Sequence, residues 1–410
     1  MKLRNIAAFA AVAITVATFF GISGDLKAEA YTDVKEIYTK LMAAPSVIAE
    51  ATDAETFEKM QNAVVKPASA LFAYEDGKAE YCGGGVAGEL GDIKARLDES
   101  GILLVLRADD SASPEELAEK INAAKITDFS VMSGDVEFLS YVSEHTVGVR
   151  TVYDAAKKTV DDPHEYLSAA RKGGGNVVVL DEKQSDVATT SYLQARLISV
   201  WTTAENESEY GFAATVATGT YGIVCKDYEA LIGLYGKYPL YSIPRTYYNV
   251  AHRGLSRREN ENTIDAIAAA YECGATHVEI DVQMTKDGEL AIMHDASVER
   301  TTDGTGKISE LTKNELSAMS VIKNIDGKIT GKKSKIPFLD DVLEYCKGKE
   351  LIVVIEIKDT NPLTCALVAS KIKKQKAEKQ TIVISFYDGN DGALKCTIFF
   401  PKSRLRRLQR

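Results

Sequence analysis

Two carboxylates one residue apart are the first feature of this sequence that could do chemistry. Glu279 and Asp281 lie in the apolar run "VEIDVQM", and alternate residues of a strand point to the same face. Neighbouring carboxylates repel each other unless a cation lies between them, and hard divalent ions prefer oxygen ligands. The pair predicts either a metal site or an exposed acidic edge, and its spacing alone does not decide between them.

Other polar residues end strand-like runs in the same part of the chain. A short apolar run ends at His252-Arg253, "LAIMHD" ends near His294, and "LIVVIEIKD" carries Glu356 and Lys358 with the same spacing as the first pair. Helical stretches alternate with these runs, which predicts a parallel sheet. In a (β/α)8 barrel, reactive residues gather at the carboxyl ends of the strands. This placement favours a site over an acidic edge.

Several short motifs together resemble one enzyme family. They are HRG at 252–254, ENT nine residues after the histidine, E-x-D, a TKDG turn followed by HD, RTT-x-G-x-G and IEIK. Between about residues 248 and 401 the chain is similar to the glycerophosphodiester phosphodiesterase family. The family commonly has Pro at the position of Asn260, and we expect this departure to change the stiffness of the loop and not the chemistry.

The resemblance implies a barrel enzyme that hydrolyses glycerophosphodiesters, a small-molecule substrate class, to glycerol 3-phosphate and an alcohol. It also implies one divalent metal ion, Ca²⁺ or Mg²⁺. The matching positions are Glu279, Asp281 and Glu356 for the metal, His252 and His294 for acid–base catalysis, Arg253 and Lys358 for the phosphate, and Glu261 for the metal site or the groups around it. A related lipid phosphodiesterase of the phospholipase type and a non-enzymatic binding protein remain alternatives.

The net charge and the N-terminal sequence indicate which partners and which cellular compartment to expect. The chain has 410 residues and a formal net charge of −10, which argues against a nucleic-acid partner. Basic residues, the apolar stretch 6–22 and Ala28-Glu29-Ala30 predict a signal peptide at 1–30. We therefore expect a secreted or cell-surface protein without a stable membrane span after cleavage, and an uncleaved anchor is the alternative.

Residues 31–240 contain enough alternating strands and helices to close a barrel of their own. The segment "YEDGKAEYCGG" can be laid over "TKDGELAIMHD" on the shared Asp-Gly. This overlay, with a second one for the IEIK strand, sets Ala68 and Ala70 at the places of Glu279 and Asp281, Gly83 at that of His294, and Arg107 at that of Glu356. We predict a diverged, non-catalytic TIM-barrel-like domain, and an unrelated α/β domain is the alternative.

The sequence thus predicts two (β/α)8 TIM-barrel-type domains of unequal length. The second domain, at 247–401, has sequence for about five strands, and residues 402–410 form a basic tail without acidic residues. We interpret the domain as incomplete and the tail as an aberrant end, with a membrane- or wall-binding tail as the alternative. Because an incomplete barrel leaves sheet edges open, we expect poor hydrolysis by the chain as written.

Overall fold

The computed structural model describes residues 44–108, 112–238 and 248–385. The predicted signal peptide at 1–30 and the basic tail at 402–410 lie outside these ranges. Among the described helices, none combines the length and the apolar character needed to cross a bilayer.

Residues 46–235 alternate strands with helices. The strands are β1 (Ser46–Glu50), β2 (Ser69–Glu75), β3 (Lys78–Glu80), β4 (Val86–Gly88), β5 (Leu103–Ala108), β6 (Phe129–Ser133), β7 (Val149–Asp154), β8 (Val177–Asp181), β9 (Ser199–Thr203) and β10 (Gly222–Cys225). The helices are α1 (Ala54–Asn62), α2 (Leu90–Ser100), α3 (Pro114–Ala124), α4 (Val136–His145), α5 (His164–Lys172), α6 (Val187–Ala195), α7 (Glu209–Ala217) and α8 (Tyr228–Tyr235).

Eight of these strands close into a parallel barrel. The order is β1-β10-β9-β8-β7-β6-β5-β2, and pairing of β1 with β2 closes it, while β3 and β4 extend β2 as an antiparallel ribbon. One apolar residue from each strand fills the interior: Ile48, Leu71, Val105, Met132, Val152, Val179, Trp201 and Val224. The alternate residues pack against the helices in a larger cluster. The predicted TIM-barrel fold is confirmed for this part, which we call the first barrel.

Residues 250–385 repeat the same element order over a shorter length. Their elements are β11 (Val250–His252), α9 (Ile264–Glu272), β12 (His277–Met284), β13 (Leu290–Ile292), α10 (Lys313–Ser317), β14 (Ser320–Lys323), β15 (Ile329–Lys335), α11 (Leu339–Cys346), β16 (Ile352–Ile357), α12 (Pro362–Gln375) and β17 (Thr381–Ser385). The parallel order is β11-β12-β16-β17, with β13 antiparallel to β12. Within the described residues, β11 and β17 each pair on one side only. We call this the second sheet.

The overlay of the two parts on the shared Asp-Gly is wrong in register. Ala70 packs in the helix-facing core of the first barrel, whereas Glu279 and Asp281 alternate with helix-facing residues of β12 and so face the opposite side. The physical reason is loop length: Glu75 pairs with Lys78 across a two-residue turn, but the β12–β13 loop is longer, since Met284 pairs with Leu290. An alignment on the shared Asp-Gly turn therefore misaligns β2 with β12.

Strand pairing shows which residues of the first barrel correspond to Glu279, Asp281 and Glu356. Arg107 and Glu356 are each the fifth residue of their strand, as the overlay assumed. Arg107 pairs with Ala73, and Glu356 pairs with Asp281. Leu71 lies two residues before Ala73 on the same face, so Leu71 and not Ala68 is the counterpart of Glu279. Leu71 and Ala73 are the counterparts of the two carboxylates, so this mouth still lacks their oxygen ligands.

The end of α6 in the first barrel covers part of the second sheet. Ala195 packs against an apolar cluster of Ile352, Val354 and Ile382 on the side of the sheet opposite its own helices. The Ala195 carbonyl lies 2.6 Å from Nε2 of His277, the first residue of β12. The cluster lies in the amino-terminal half of β16, so this contact leaves the carboxyl end of the sheet free.

Candidate active site

Three carboxylates meet where the parallel ladders of the second sheet end. Asp281 on β12 is directly opposite Glu356 on β16, and Glu279 is opposite His252 on β11. One oxygen from each of Glu279, Asp281 and Glu356 lies within 4.8 Å of the other two. Beyond Val282, β12 leaves this ladder and pairs with β13. The structure therefore brings the three predicted metal ligands together on one face.

These carboxylates are buried, and some of their oxygens have no hydrogen-bond partner. Exposed fractions are 6% for Glu279, 0% for Asp281 and 6% for Glu356. Within the described part of the chain, Glu279 Oε1 accepts no hydrogen bond, and Asp281 Oδ1 faces the Lys358 ammonium at 3.3 Å without a well-aligned hydrogen bond. Burial and the neighbouring Asp281 raise the pKa of Glu279 to about 8. Buried carboxylates are normally paired or bound to metals, so this donor set fits a hard divalent cation.

The loop after β11 is built to approach this cluster closely. Arg253 has φ of +57° and Asn262 has φ of +56°, the left-handed region, which Asn adopts more often than most other non-glycine residues and which is uncommon for Arg. The Arg253 amide donates to Glu279 Oε2 at 3.0 Å, and Asn262 Nδ2 donates to Asp281 Oδ2 at 2.8 Å. A side chain at Gly254 would meet the Ala266 backbone at 2.6 Å, so only glycine allows this approach to α9.

Two cationic side chains border the carboxylates. Lys358 Nζ lies 2.5 Å from Glu356 Oε1 and 3.3 Å from Asp281 Oδ1. Burial lowers the pKa of Lys358, but the bond to Glu356 and the charges of Asp281 and Glu356 together outweigh burial, and the net shift is upward. Arg253 Nε lies 3.2 Å from Asp281 Oδ2. Both predicted phosphate-binding residues are thus in contact with the predicted metal ligands.

The two predicted catalytic histidines lie on the same side of the sheet. His252 Nε2 is 3.9 Å from Glu279 Oε2. Burial, with help from Arg253, Lys358 and His294, lowers the pKa of His252. His252 also lines a groove of about 470 Å³ beside β11. This arrangement could exchange protons with a substrate held at the carboxylates.

Glu261 lies beside the three carboxylates and is held by two arginines. Its Oε1 accepts from Arg253 Nη1 at 3.0 Å and from Arg300 Nη2 at 2.6 Å, and its Oε2 accepts from Arg300 Nη1 at 2.9 Å. Burial alone would raise the pKa of Glu261. The hydrogen bonds and charges of the two arginines together outweigh burial, so the pKa lies below its usual value. Glu261 thus anchors Arg253.

Three residues of the site received no role from the sequence. Asn262 holds Asp281, Asp295 accepts from His294 Nδ1 at 2.6 Å, and Arg300 joins Asp295 to Glu261. All three stand inside the ENT, HD and RTT motifs. The motif letters were therefore a usable signal. Asn262 and Arg300, however, bind partners 19 and 39 residues away, Asp281 and Glu261, and only the fold brings these pairs into contact.

Asn260 does more than soften its loop. It is buried, and its Nδ2 donates to the Val321 carbonyl at 2.8 Å and to Ser334 Oγ at 3.0 Å, while its Oδ1 accepts from Thr330 Oγ1 at 2.6 Å. Proline could make none of these bonds. The asparagine fastens the loop that carries Glu261 to the β14–β15 hairpin.

Comparison with known proteins gives matches to this part of the chain. The sequence profile of the Glycerophosphoryl diester phosphodiesterase family matches residues 252–394. A glycerophosphodiester phosphodiesterase of Caldanaerobacter subterraneus subsp. tengcongensis is 38% identical over 140 residues, which are 33% of this chain and 57% of the relative. Human glycerophosphodiester phosphodiesterase 1 is 34% identical over 138 residues, which are 33% of this chain and 42% of the relative. The chain spans about half the length of these relatives.

Solved structures match about a third of the chain. The structure of an Oleispira antarctica phosphodiesterase in complex with the product sn-glycerol-3-phosphate is 27% identical, with a TM-score of 0.32, covering 34% of this chain and 58% of that one. The sequence matches confirm the predicted resemblance: residues 252–394 of the chain match the glycerophosphoryl diester phosphodiesterase family.

Proposed function

We propose that the chain is a metal-dependent hydrolase that converts glycerophosphodiesters to glycerol 3-phosphate and an alcohol. The observation that carries the proposal is the buried cluster of Glu279, Asp281 and Glu356, in which Glu279 Oε1 has no hydrogen-bond partner among the described residues. Such a cluster fits Ca²⁺ or Mg²⁺. The family match and the names of the relatives support the substrate class.

A phosphodiester is anionic, so charge that builds on its oxygens must be neutralised. The bound metal ion would stabilise that charge as a Lewis acid. Arg253 and Lys358, which already contact the carboxylates, would hold the phosphate oxygens beside it. The burial that makes this site costly for bare carboxylates also strengthens its interaction with an ionic substrate.

The two histidines would move the protons. Because burial lowers the pKa of His252, its imidazole is neutral at physiological pH and can accept the proton of the attacking hydroxyl. His294 would then protonate the departing alkoxide at its Nε2, since Nδ1 is engaged by Asp295. Each proton transfer of this kind contributes about 10²–10⁴ in rate.

The test is release of glycerol 3-phosphate from glycerophosphocholine by the full chain, with Ca²⁺ or Mg²⁺ added. We expect slow turnover, because β11 and β17 each pair on one side only within the described residues. Chelation should abolish this turnover, metal should restore it, and Asp281→Asn should remove it. A matched control is Glu50→Gln, since Glu50 is a largely buried carboxylate at the mouth of the first barrel. Turnover that survives both chelation and Asp281→Asn would contradict the proposal.

We also propose that the protein works outside the cytoplasm, as the sequence features of residues 1–30 support. Fractionation of expressing cells tests this. The full chain should reach the external or cell-surface fraction, and deletion of residues 2–30 should retain it in the cytosol. Equal distribution of both forms would contradict export.

A further inference from the structure

Arg300 connects two halves of the candidate site. Its terminal nitrogens bind both oxygens of Glu261 at 2.6 and 2.9 Å, and its Nε binds Oδ2 of Asp295. Asp295 Oδ1 in turn lies 2.6 Å from His294 Nδ1. One guanidinium thus occupies two carboxylates, one beside a histidine and one that anchors Arg253.

The contact between Asp295 and His294 has a consequence for the imidazole. An ionised carboxylate can only accept hydrogen bonds, and a neutral imidazole carries one N–H. The ring nitrogen facing Asp295 must therefore be the protonated one, so Nε2 is the nitrogen that exchanges a proton, and the Nδ1-protonated neutral ring is the form left after Nε2 has donated. Which nitrogen of a histidine can transfer a proton is set by the hydrogen bond that the other nitrogen makes.

We propose that Arg300, acting through Asp295, is a positioning residue that fixes the Nδ1-protonated tautomer and the ring orientation of His294. This inference rests on the proposed function only for its effect on turnover. Arg300 holds Asp295 Oδ2, so Oδ1 stays aimed at the imidazole. It also couples this pair through Glu261 to Arg253, and so to Asp281.

Only an arginine satisfies this geometry. The guanidinium offers five N–H groups in a rigid plane, so it can bind one carboxylate with two nitrogens and a second with Nε. A lysine at position 300 would keep the charge but could not hold Glu261 and Asp295 in fixed directions. Arg300→Lys therefore separates the charge of Arg300 from its geometry.

The direct test is the tautomer of His294 in the full chain labelled with ¹⁵N-histidine, read by NMR at a pH where the ring is neutral. The signal is assigned with His294→Gln. We expect the Nδ1-protonated form in wild type and a mixture of tautomers in Arg300→Gln, Arg300→Lys and Asp295→Asn. Arg258→Gln is the control, because Arg258 is largely exposed and pairs only with its neighbour Glu259 among the described residues.

A kinetic readout separates positioning from general structural support. Loss of a residue that orients a functional group typically costs about 10–100-fold in activity. We expect a loss of this size in kcat for Arg300→Lys and Asp295→Asn, with KM nearly unchanged. Asp295 is about one-third exposed, so Asp295→Asn should fold even if Arg300→Gln does not.

The outcomes distinguish this inference from the proposed function. If the wild-type chain shows no turnover but the variants mix tautomers, the inference stands and the proposed function fails. If the variants retain the Nδ1-protonated form of His294, the inference is wrong whatever the turnover. A raised KM with unchanged kcat would also overturn it, because that pattern indicates lost substrate binding.

Discussion

The first barrel and the second sheet begin with the same series of elements but differ in how their first strand is paired. In the first barrel β1 pairs with both β10 and β2. In the second sheet β11 pairs with β12 alone among the described residues. Ile352, Val354 and Ile382, which lie on the side away from the second sheet's own helices, instead contact Ala195 of the first barrel. The first barrel therefore covers apolar surface of the second sheet.

The mouths of the two parts differ in the chemistry they can do. Where the second sheet has His252 opposite Glu279, the first barrel has Glu50 opposite Leu71. Where it has Asp281 opposite Glu356, the first barrel has Ala73 opposite Arg107. Arg107 and Glu50 form an ion pair at 3.6 Å. The only cluster of three possible metal ligands in the described residues is that of the second sheet.

The largest effect is expected when a carboxylate of the second sheet is replaced by its counterpart in the first barrel. Glu356→Arg copies Arg107 into the carboxylate cluster and should exclude the metal. Because a metal ion supplies several kcal/mol of transition-state stabilisation, turnover of glycerophosphocholine should fall by on the order of 10³-fold. The reverse change, Arg107→Glu, should leave turnover within about twofold of wild type. A comparable loss in both variants would mean that the two mouths act together.

A second prediction concerns His252, whose counterpart in the first barrel is Glu50. His252→Gln should lower kcat by about 10²–10⁴-fold, the contribution of one proton transfer. Since burial lowers the pKa of His252, the acidic limb of the kcat/KM profile should lie below the usual pKa of histidine. Steady-state rates between pH 5 and 9 measure both effects. An unchanged profile in His252→Gln would exclude this residue as the base.

A third prediction concerns how the metal affinity of the second sheet depends on pH. The pKa of Glu279 is raised to about 8 by burial and Asp281, so below this pH the metal-free site keeps a proton that the metal must release. Affinity should therefore rise with pH, by up to about tenfold per unit below pH 8. The metal should also raise the melting temperature more at pH 8 than at pH 6. Calorimetric titration at several pH values measures this, and a flat affinity would argue against Glu279 as a ligand.

The smallest expected effect concerns the contact between the two parts. Ala195→Asp would place a charge against Ile352, Val354 and Ile382 and should destabilise the chain by about 1–3 kcal/mol. Urea unfolding followed by circular dichroism measures the loss. Ala123→Asp, at an exposed position in the last turn of α3, is the control and should change stability by less than about 0.5 kcal/mol. Equal effects would show that the contact contributes nothing.

Much of this organisation could be predicted from sequence because its signals are local. The i, i+2 spacing of Glu279 and Asp281 placed both on one face, and the alternation of strands and helices indicated a barrel in the first part. The register between the two parts could not be obtained from a shared Asp-Gly, since loop length differs between the hairpins. Contacts such as Arg300 with Glu261 depend on residues 39 apart, which no local pattern encodes.

Whether the second sheet alone carries a metal site can be measured by calorimetric titration of Ca²⁺ and Mg²⁺ into the full chain and into fragment 31–239, which spans the first barrel. It does not depend on turnover. We expect one divalent ion bound by the full chain, loss of that binding in Asp281→Asn, unchanged binding in Glu50→Gln, and none by the fragment. Metal binding by the fragment, or binding by Asp281→Asn as tight as in wild type, would contradict the claim that the second sheet alone carries the metal site.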